Sequence, residues 1–297
     1  MPDAVLAPAP PARSDAPGEH GTADAPGTCA SCGQVLHGEY CHACGEKRLG
    51  PHDYHLAHFA EHAADALTHF DFKVPQSLWS LLRRPGAQAA DVLAGRRVRW
   101  AKPLQTFIFA NLIFYLVASA LSFSFFDAPL SMQTGSRYGA VFRSLADAKA
   151  AALGLAPAAF AARYDALSHT LAKSLVVALV PLVTGLLALL FALHRRHALE
   201  HATAAILLVS QFMLGSLVAI GLGYLVVLLT GTAGGDALFV PLVLGVNALL
   251  FYSAFRRIYS ARRATAAAWS AVFTFGLLVL VIFVYRPFLF LVTLALL

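Results

Sequence analysis

Gly95-Arg96-Arg97-Val98-Arg99-Trp100-Ala101-Lys102-Pro103 divides this chain into two unlike parts. Four cationic side chains, Arg96, Arg97, Arg99 and Lys102, stand directly ahead of a charge-free apolar run that begins at Leu104. A basic collar in that position is retained on the cytosolic side of a membrane. The stretch therefore reads as the threshold between a water-facing head and a lipid-facing body, and its charges suit anionic lipid headgroups.

The body fits that reading. Of 297 residues, 58% are hydrophobic and only 13% charged, and the mean hydropathy is +0.66, outside the range of ordinary soluble domains. Charge-free apolar runs predict five spans at about 104–125, 174–193, 203–229, 237–255 and 267–285, each able to reach about 30 Å. Residues 287–297, beyond Arg286, are too short to span alone and either extend the fifth helix or lie in the interface. The expected fold class is an all-α polytopic membrane protein of about five transmembrane helices carrying a small N-terminal zinc ribbon.

The net charge of +6 follows the edges of the apolar runs, so topology accounts for it and nucleic acid is not expected as a partner. Arg195-Arg196, Arg256-Arg257 and Arg262-Arg263 fall on the same side as the collar, whereas the 231–236 loop has no Lys or Arg. That bias places the N-terminus in the cytosol and the C-terminus outside. The long loop 127–173 balances its basic residues with Asp127, Asp147 and Asp165, and is predicted to carry one short helix near 158–169.

Working outward on the other side, the chain divides into a tail at 1–27, a zinc ribbon at 28–49 and amphipathic or interfacial helices at 50–102, ahead of a transmembrane domain at 103–297. The tail is rich in Ala and Pro, carries Asp3, Asp15, Glu19 and Asp24, and lacks an uninterrupted apolar segment. It reads as disordered and not as a secretory signal. All four cysteines then fall in one short window as Cys29-Ala30-Ser31-Cys32-Gly33 and Cys41-His42-Ala43-Cys44-Gly45. Two thiolates two residues apart can hold one tetrahedral ion only where the backbone turns tightly, and the following glycine permits that turn. Two such knuckles offer four sulfurs to a structural Zn²⁺, with a short hairpin expected between Cys32 and Cys41 around Gly38. A rubredoxin-like iron site uses the same residues, and a redox dithiol would need a surrounding βαβ fold that this sequence does not offer.

A helix is predicted over 53–70, with Leu56, Phe59, Ala63, Leu67 and Phe70 on one face and His55, His58, His62 and His69 on an adjoining strip. The pair His58 and His62 offers a second metal site, against a polar flank as the simpler reading. Shorter helices are expected at 76–84 and 87–94, divided by Pro85-Gly86, with Trp79 and Trp100 at the headgroup layer.

Two further constellations bear on function. His197-Ala198-Leu199-Glu200-His201 matches H-x-x-E-H, in which two histidines bind zinc and the glutamate activates water. No third ligand follows on the same side, so a metallohydrolase ranks below pairing of Glu200 with Arg195 or Arg196. Asn111, Gln211 and Asn247 are polar within the spans, but no ionisable residue lies near the middle of one, which disfavours a coupled pump.

The two C-x-x-C-G knuckles, Phe70-Asp71-Phe72, Leu82-Arg83-Arg84-Pro85-Gly86, Gly95-Arg96-Arg97 with Trp100 and Pro103, and Glu200-His201 occur in an order that resembles a family of bacterial membrane proteins known only as a domain of unknown function. The resemblance implies a bacterial inner-membrane location and a zinc-ribbon head, and supplies no activity. The chain departs from the pattern at Trp100, where the family has tyrosine, and after His201, where it carries aromatics and another histidine. The sequence thus points to a non-enzymatic interaction, assembly or regulatory module, with a protein partner at the ribbon and membrane lipid around the body. A transporter or export accessory, with Asn111, Gln211 and Asn247 facing a cavity, is the second reading.

Overall fold

A computed structural model describes residues 27–48, 71–121, 123, 126–135, 139–192, 197–231 and 235–297. The tail and the histidine-bearing segment, with His58 and His62, lie outside the described residues. Among those residues the body is all helix, and five helices are long and apolar enough to cross a membrane.

A helical hairpin comes first, α1 (Val74–Arg83) and α2 (Ala87–Leu93). Pro85-Gly86 turns the chain between them, and the turn abuts a later helix, α9 (Gly235–Ile258). Gly86 has φ +79°, and a Cβ there would lie 2.6 Å from the Ala254 Cα, so glycine is required twice over. Arg257 locks the contact by donating from Nη1 to the Pro85 carbonyl at 2.7 Å. The hairpin therefore packs across one end of the membrane bundle.

The collar follows as a compact turn organised by Asp91. One carboxylate oxygen takes Arg96 through Nη2 at 2.6 Å and Nε at 2.9 Å; the other accepts from Trp100 Nε1 at 2.9 Å. Trp100, expected among lipid headgroups, is only 5% exposed, because its indole N–H finds an acid inside the protein. The turn is tied to the hairpin by Ala101 N donating to Ser77 Oγ at 3.0 Å. It is tied to the first span by Gln88 Nε2, which bridges the Ala101 carbonyl and Thr106 Oγ1.

The first span, α3 (Pro103–Ala120), opens with proline, whose missing N–H costs a helix start nothing, and stops short of the predicted 125. The bundle is centred on α8 (Ala198–Thr230), whose residues from Ala204 to Ser216 are all buried. Against it pack α3, α7 (Leu179–Leu190) and α9. Such all-round burial needs small residues at close crossings. A Cβ on Gly215 would meet Asn247 Oδ1 and Leu250 Cδ1 at 2.6 Å.

Two spans run further than hydropathy predicts. The 127–173 segment contains α4 (Leu130–Thr134), α5 (Gly139–Ala152) and most of α6 (Pro157–Leu175), where one short helix was expected. Moreover, α6 continues through a 3₁₀ turn (Val176–Ala178) into α7, making one 34-residue rod. Arg163, Asp165, His169 and Lys173 end the apolar run but do not end the helix. Likewise α10 (Arg263–Leu280) passes through a π-helical turn (Val281–Tyr285) into α11 (Arg286–Leu296), so residues after 286 extend the fifth helix. Pro287 lacks an N–H and crowds the preceding turn, and the wider π turn takes up the disturbance.

At the end away from the hairpin, α11 packs on α6, with Phe290 against Phe142 and Tyr164. Both Tyr115 and Tyr285 donate hydroxyls to the Ala172 carbonyl, at 2.9 and 3.2 Å. The connector after α3 is held to α6 by Asp127 Oδ2 against His169 Nδ1 at 2.9 Å and by Leu130 N donating to Asp165 Oδ1 at 2.8 Å.

Candidate metal centre

The four sulfurs meet because the chain makes one turn twice. In the first knuckle Gly33, at φ +74°, donates to the Cys29 carbonyl at 2.9 Å, and Cys29 N donates to the Gln34 carbonyl at 2.8 Å. The second repeats it: Gly45, also at φ +74°, donates to the Cys41 carbonyl at 2.8 Å, and Cys41 N to the Glu46 carbonyl at 2.9 Å. Isolated antiparallel bridges, Thr28 with Val35 and Tyr40 with Lys47, close each knuckle on itself. The single hairpin expected between Cys32 and Cys41 is thus replaced by two self-closed turns, joined by a bend through Gly38.

Cys29 and Cys41 are buried against Leu36, Cys44 is half-buried and Cys32 exposed. Sγ of Cys29 lies 3.5 Å from that of Cys44, Cys32 Sγ lies 3.4 Å from Cys41 Sγ, and all four fall within 4.8 Å of one another. A regular tetrahedron of sulfurs around an ion at about 2.3 Å has edges of about 3.8 Å, inside that span. The set can therefore hold a metal ion, and sulfur-only donors suit zinc or iron. It is closed, leaving no position for a reacting water.

Backbone amides prepare the ligands: Gln34 bonds the Cys32 sulfur and Glu46 the Cys44 sulfur. As free thiols, Cys41 and Cys44 are pushed in opposite directions. Backbone hydrogen bonds from Cys44 and Ala43 draw the Cys41 thiol down to about 7. Cys44, against the pull of the Glu46 N–H, is pushed up to about 12 by burial and its thiol neighbours.

One residue ties this centre to the membrane threshold. Glu46 is 4% exposed, and its Oε2 accepts from Ser31 Oγ at 2.6 Å, Arg97 N at 2.8 Å and Val98 N at 2.9 Å. Ser31 belongs to the first knuckle and Glu46 follows the second, so one carboxylate joins both knuckles to the collar. Sequence reasoning missed it. The signal was a broken symmetry: the residue after C-x-x-C-G is Gln34 in one copy and an acid in the other.

The collar charges differ in their use. Arg96 is paired with Asp91, Arg99 lies over the Trp100 ring at 5.0 Å, Arg97 contributes its backbone to Glu46, and Arg97, Arg99 and Lys102 are exposed. His197 is the exposed N-cap of α8, Glu200 is half-buried in its first turn, and His201 is buried one turn on. The H-x-x-E-H histidines are thereby divided between solvent and core. Among the described residues, the gathered set of three or more metal-ligand side chains is the four cysteines. Gln211 and Asn247 are buried, Asn247 Nδ2 donating to Ser216 Oγ at 3.2 Å and to the Val243 carbonyl at 2.9 Å, while Asn111 is half-buried.

A family model described as a protein of unknown function (DUF3667) matches residues 71–115. The matched stretch holds the hairpin, the collar and the opening part of α3, and excludes the knuckles and Glu200-His201. No curated protein and no solved structure matches the chain.

Proposed function

We propose that this is a multi-pass protein of a bacterial inner membrane, with a zinc-bound head in the cytosol and its C-terminus outside, working as a non-enzymatic interaction, assembly or regulatory module. The observation that carries the reading is the closed four-sulfur set, which builds a small rigid surface where so short a segment has no core of its own. Cys29, Cys32, Cys41 and Cys44 hold the ion. Val35 and Tyr40, 42% and 61% exposed beside the knuckles, are the apolar contacts offered to a protein partner. Arg97, Arg99 and Lys102 are the exposed cations of the membrane threshold that anionic lipid would attract.

Metal content and cross-linked partners of the detergent-purified protein test this together. Wild type is expected to carry about one zinc per chain and to yield a defined partner. The Cys29→Ser, Cys32→Ser double variant loses both, and Tyr40→Ser keeps the zinc but loses the partner. A zinc-free wild type, or an unchanged partner set in all three, would sink the reading.

A transporter or export accessory remains the second reading, and Gln211 favours it: its amide Nε2 is buried in the middle of α8 with no hydrogen-bond partner, as a polar ligand site would leave it. Loss of phenotype in Gln211→Leu with an intact, zinc-loaded head would move the function into the bundle.

A further inference from the structure

We infer that Glu46 couples the four-cysteine centre to the threshold of the first membrane helix, so that metal occupancy controls whether the basic collar is held by the head or released to the lipid surface. This rests on the reading of the four cysteines as a metal centre.

The geometry makes Glu46 a part of both structures. Its backbone belongs to the second knuckle, with its N–H on the Cys44 sulfur and its carbonyl accepting from Cys41 N. Its side chain reaches Ser31 in the first knuckle and two consecutive amides of the collar. Consecutive backbone N–H groups converging on one carboxylate form an anion-binding nest, and here the anion is fixed by the metal-binding turns themselves. Opening the second knuckle moves the residue that grips Arg97 and Val98, and the first knuckle adds Ser31 Oγ to the same carboxylate.

Charge supports the same coupling. Four thiolates on a divalent ion would leave a net charge of about −2. Arg97, Arg99 and Lys102 are the exposed cations of the segment that Glu46 grips, so that grip sets how near they lie to the loaded head. With the ion gone, the two knuckles lose the clamp that holds them together, the Glu46 grip on the collar loosens, and the same cations become available to anionic headgroups. Glu46 is thus a positioning residue: it touches no ligand atom of the ion through its side chain.

The test uses the full-length protein in nanodiscs containing anionic lipid, with hydrogen exchange read at the Arg97 and Val98 amides and zinc counted in the same samples. Zinc-loaded wild type is expected to protect both amides, and chelation to speed their exchange by at least about tenfold. Glu46→Ala should give the same acceleration with the zinc retained, because its N–H and carbonyl remain to hold the knuckle. Glu46→Gln, which keeps the shape without the charge, should fall between. The coupling is overturned if Glu46→Ala leaves the two amides at wild-type exchange, or if chelation removes the zinc and they stay protected. A wild type that binds no metal fails differently, since it removes the metal centre itself.

Discussion

Gly86 carries two constraints in one position: a left-handed backbone and the closest approach of the hairpin to α9, where Ala254 leaves no room for a Cβ. Replacing it with alanine adds backbone strain and a clash with main chain that cannot move aside. Gly86→Ala should therefore cost about 3 kcal/mol or more and lower the unfolding temperature of the purified protein, while the zinc content, which depends on a separate turn, stays unchanged. An unaltered melting temperature would show that the hairpin does not bear on the bundle. Residues of this kind were half legible. The knuckle glycines could be read because the pattern around them is local and repeated, whereas Glu46 could not, because the amides it binds lie 51 and 52 positions away. Asp91 was hidden for a related reason: an acid in a short amphipathic helix reads as surface until Arg96 and Trp100 fold back on it.

Among the elements, the apolar spans were legible because lipid demands long charge-free runs. Their ends were not. Charges at Arg163, Asp165, His169 and Lys173 mark the limit of hydrocarbon, and a helix can continue into water past that limit. Where the two long rods pass each other, Tyr115 and Tyr285 share the Ala172 carbonyl just before the 3₁₀ turn. Each hydroxyl should contribute about 0.5–1 kcal/mol. Since the carbonyl accepts both through its two lone pairs, loss of either hydroxyl still leaves it paired with the other. Tyr115→Phe combined with Tyr285→Phe should then destabilise by more than the sum of the single variants, as measured in a double-mutant cycle of detergent unfolding. Strict additivity would mean that the two hydroxyls act independently.

For the whole molecule, the hairpin, the start of α3 and the end of α9 meet at one end of the bundle, the end that carries the collar and Arg256-Arg257. On the proposed topology, five crossings put the C-terminus on the side opposite the head. A reporter enzyme that works only outside the inner membrane should be active when fused after Leu297 and silent when inserted at Gly38; the reverse pattern would invert the orientation. The lengths of the rods have a consequence for the surrounding lipid. Helix α3 rises only about 27 Å, while α10 through α11 extends about 51 Å, and α11 keeps Phe288, Leu291 and Leu296 exposed. The protein therefore presents helices of unequal length to the surrounding lipid, the tall one with Arg286 inside it. A bilayer of uniform thickness can match both only if the tall rod leans or the leaflets swell beside it, so this protein should respond to acyl-chain length, favouring membranes whose thickness relieves that imbalance.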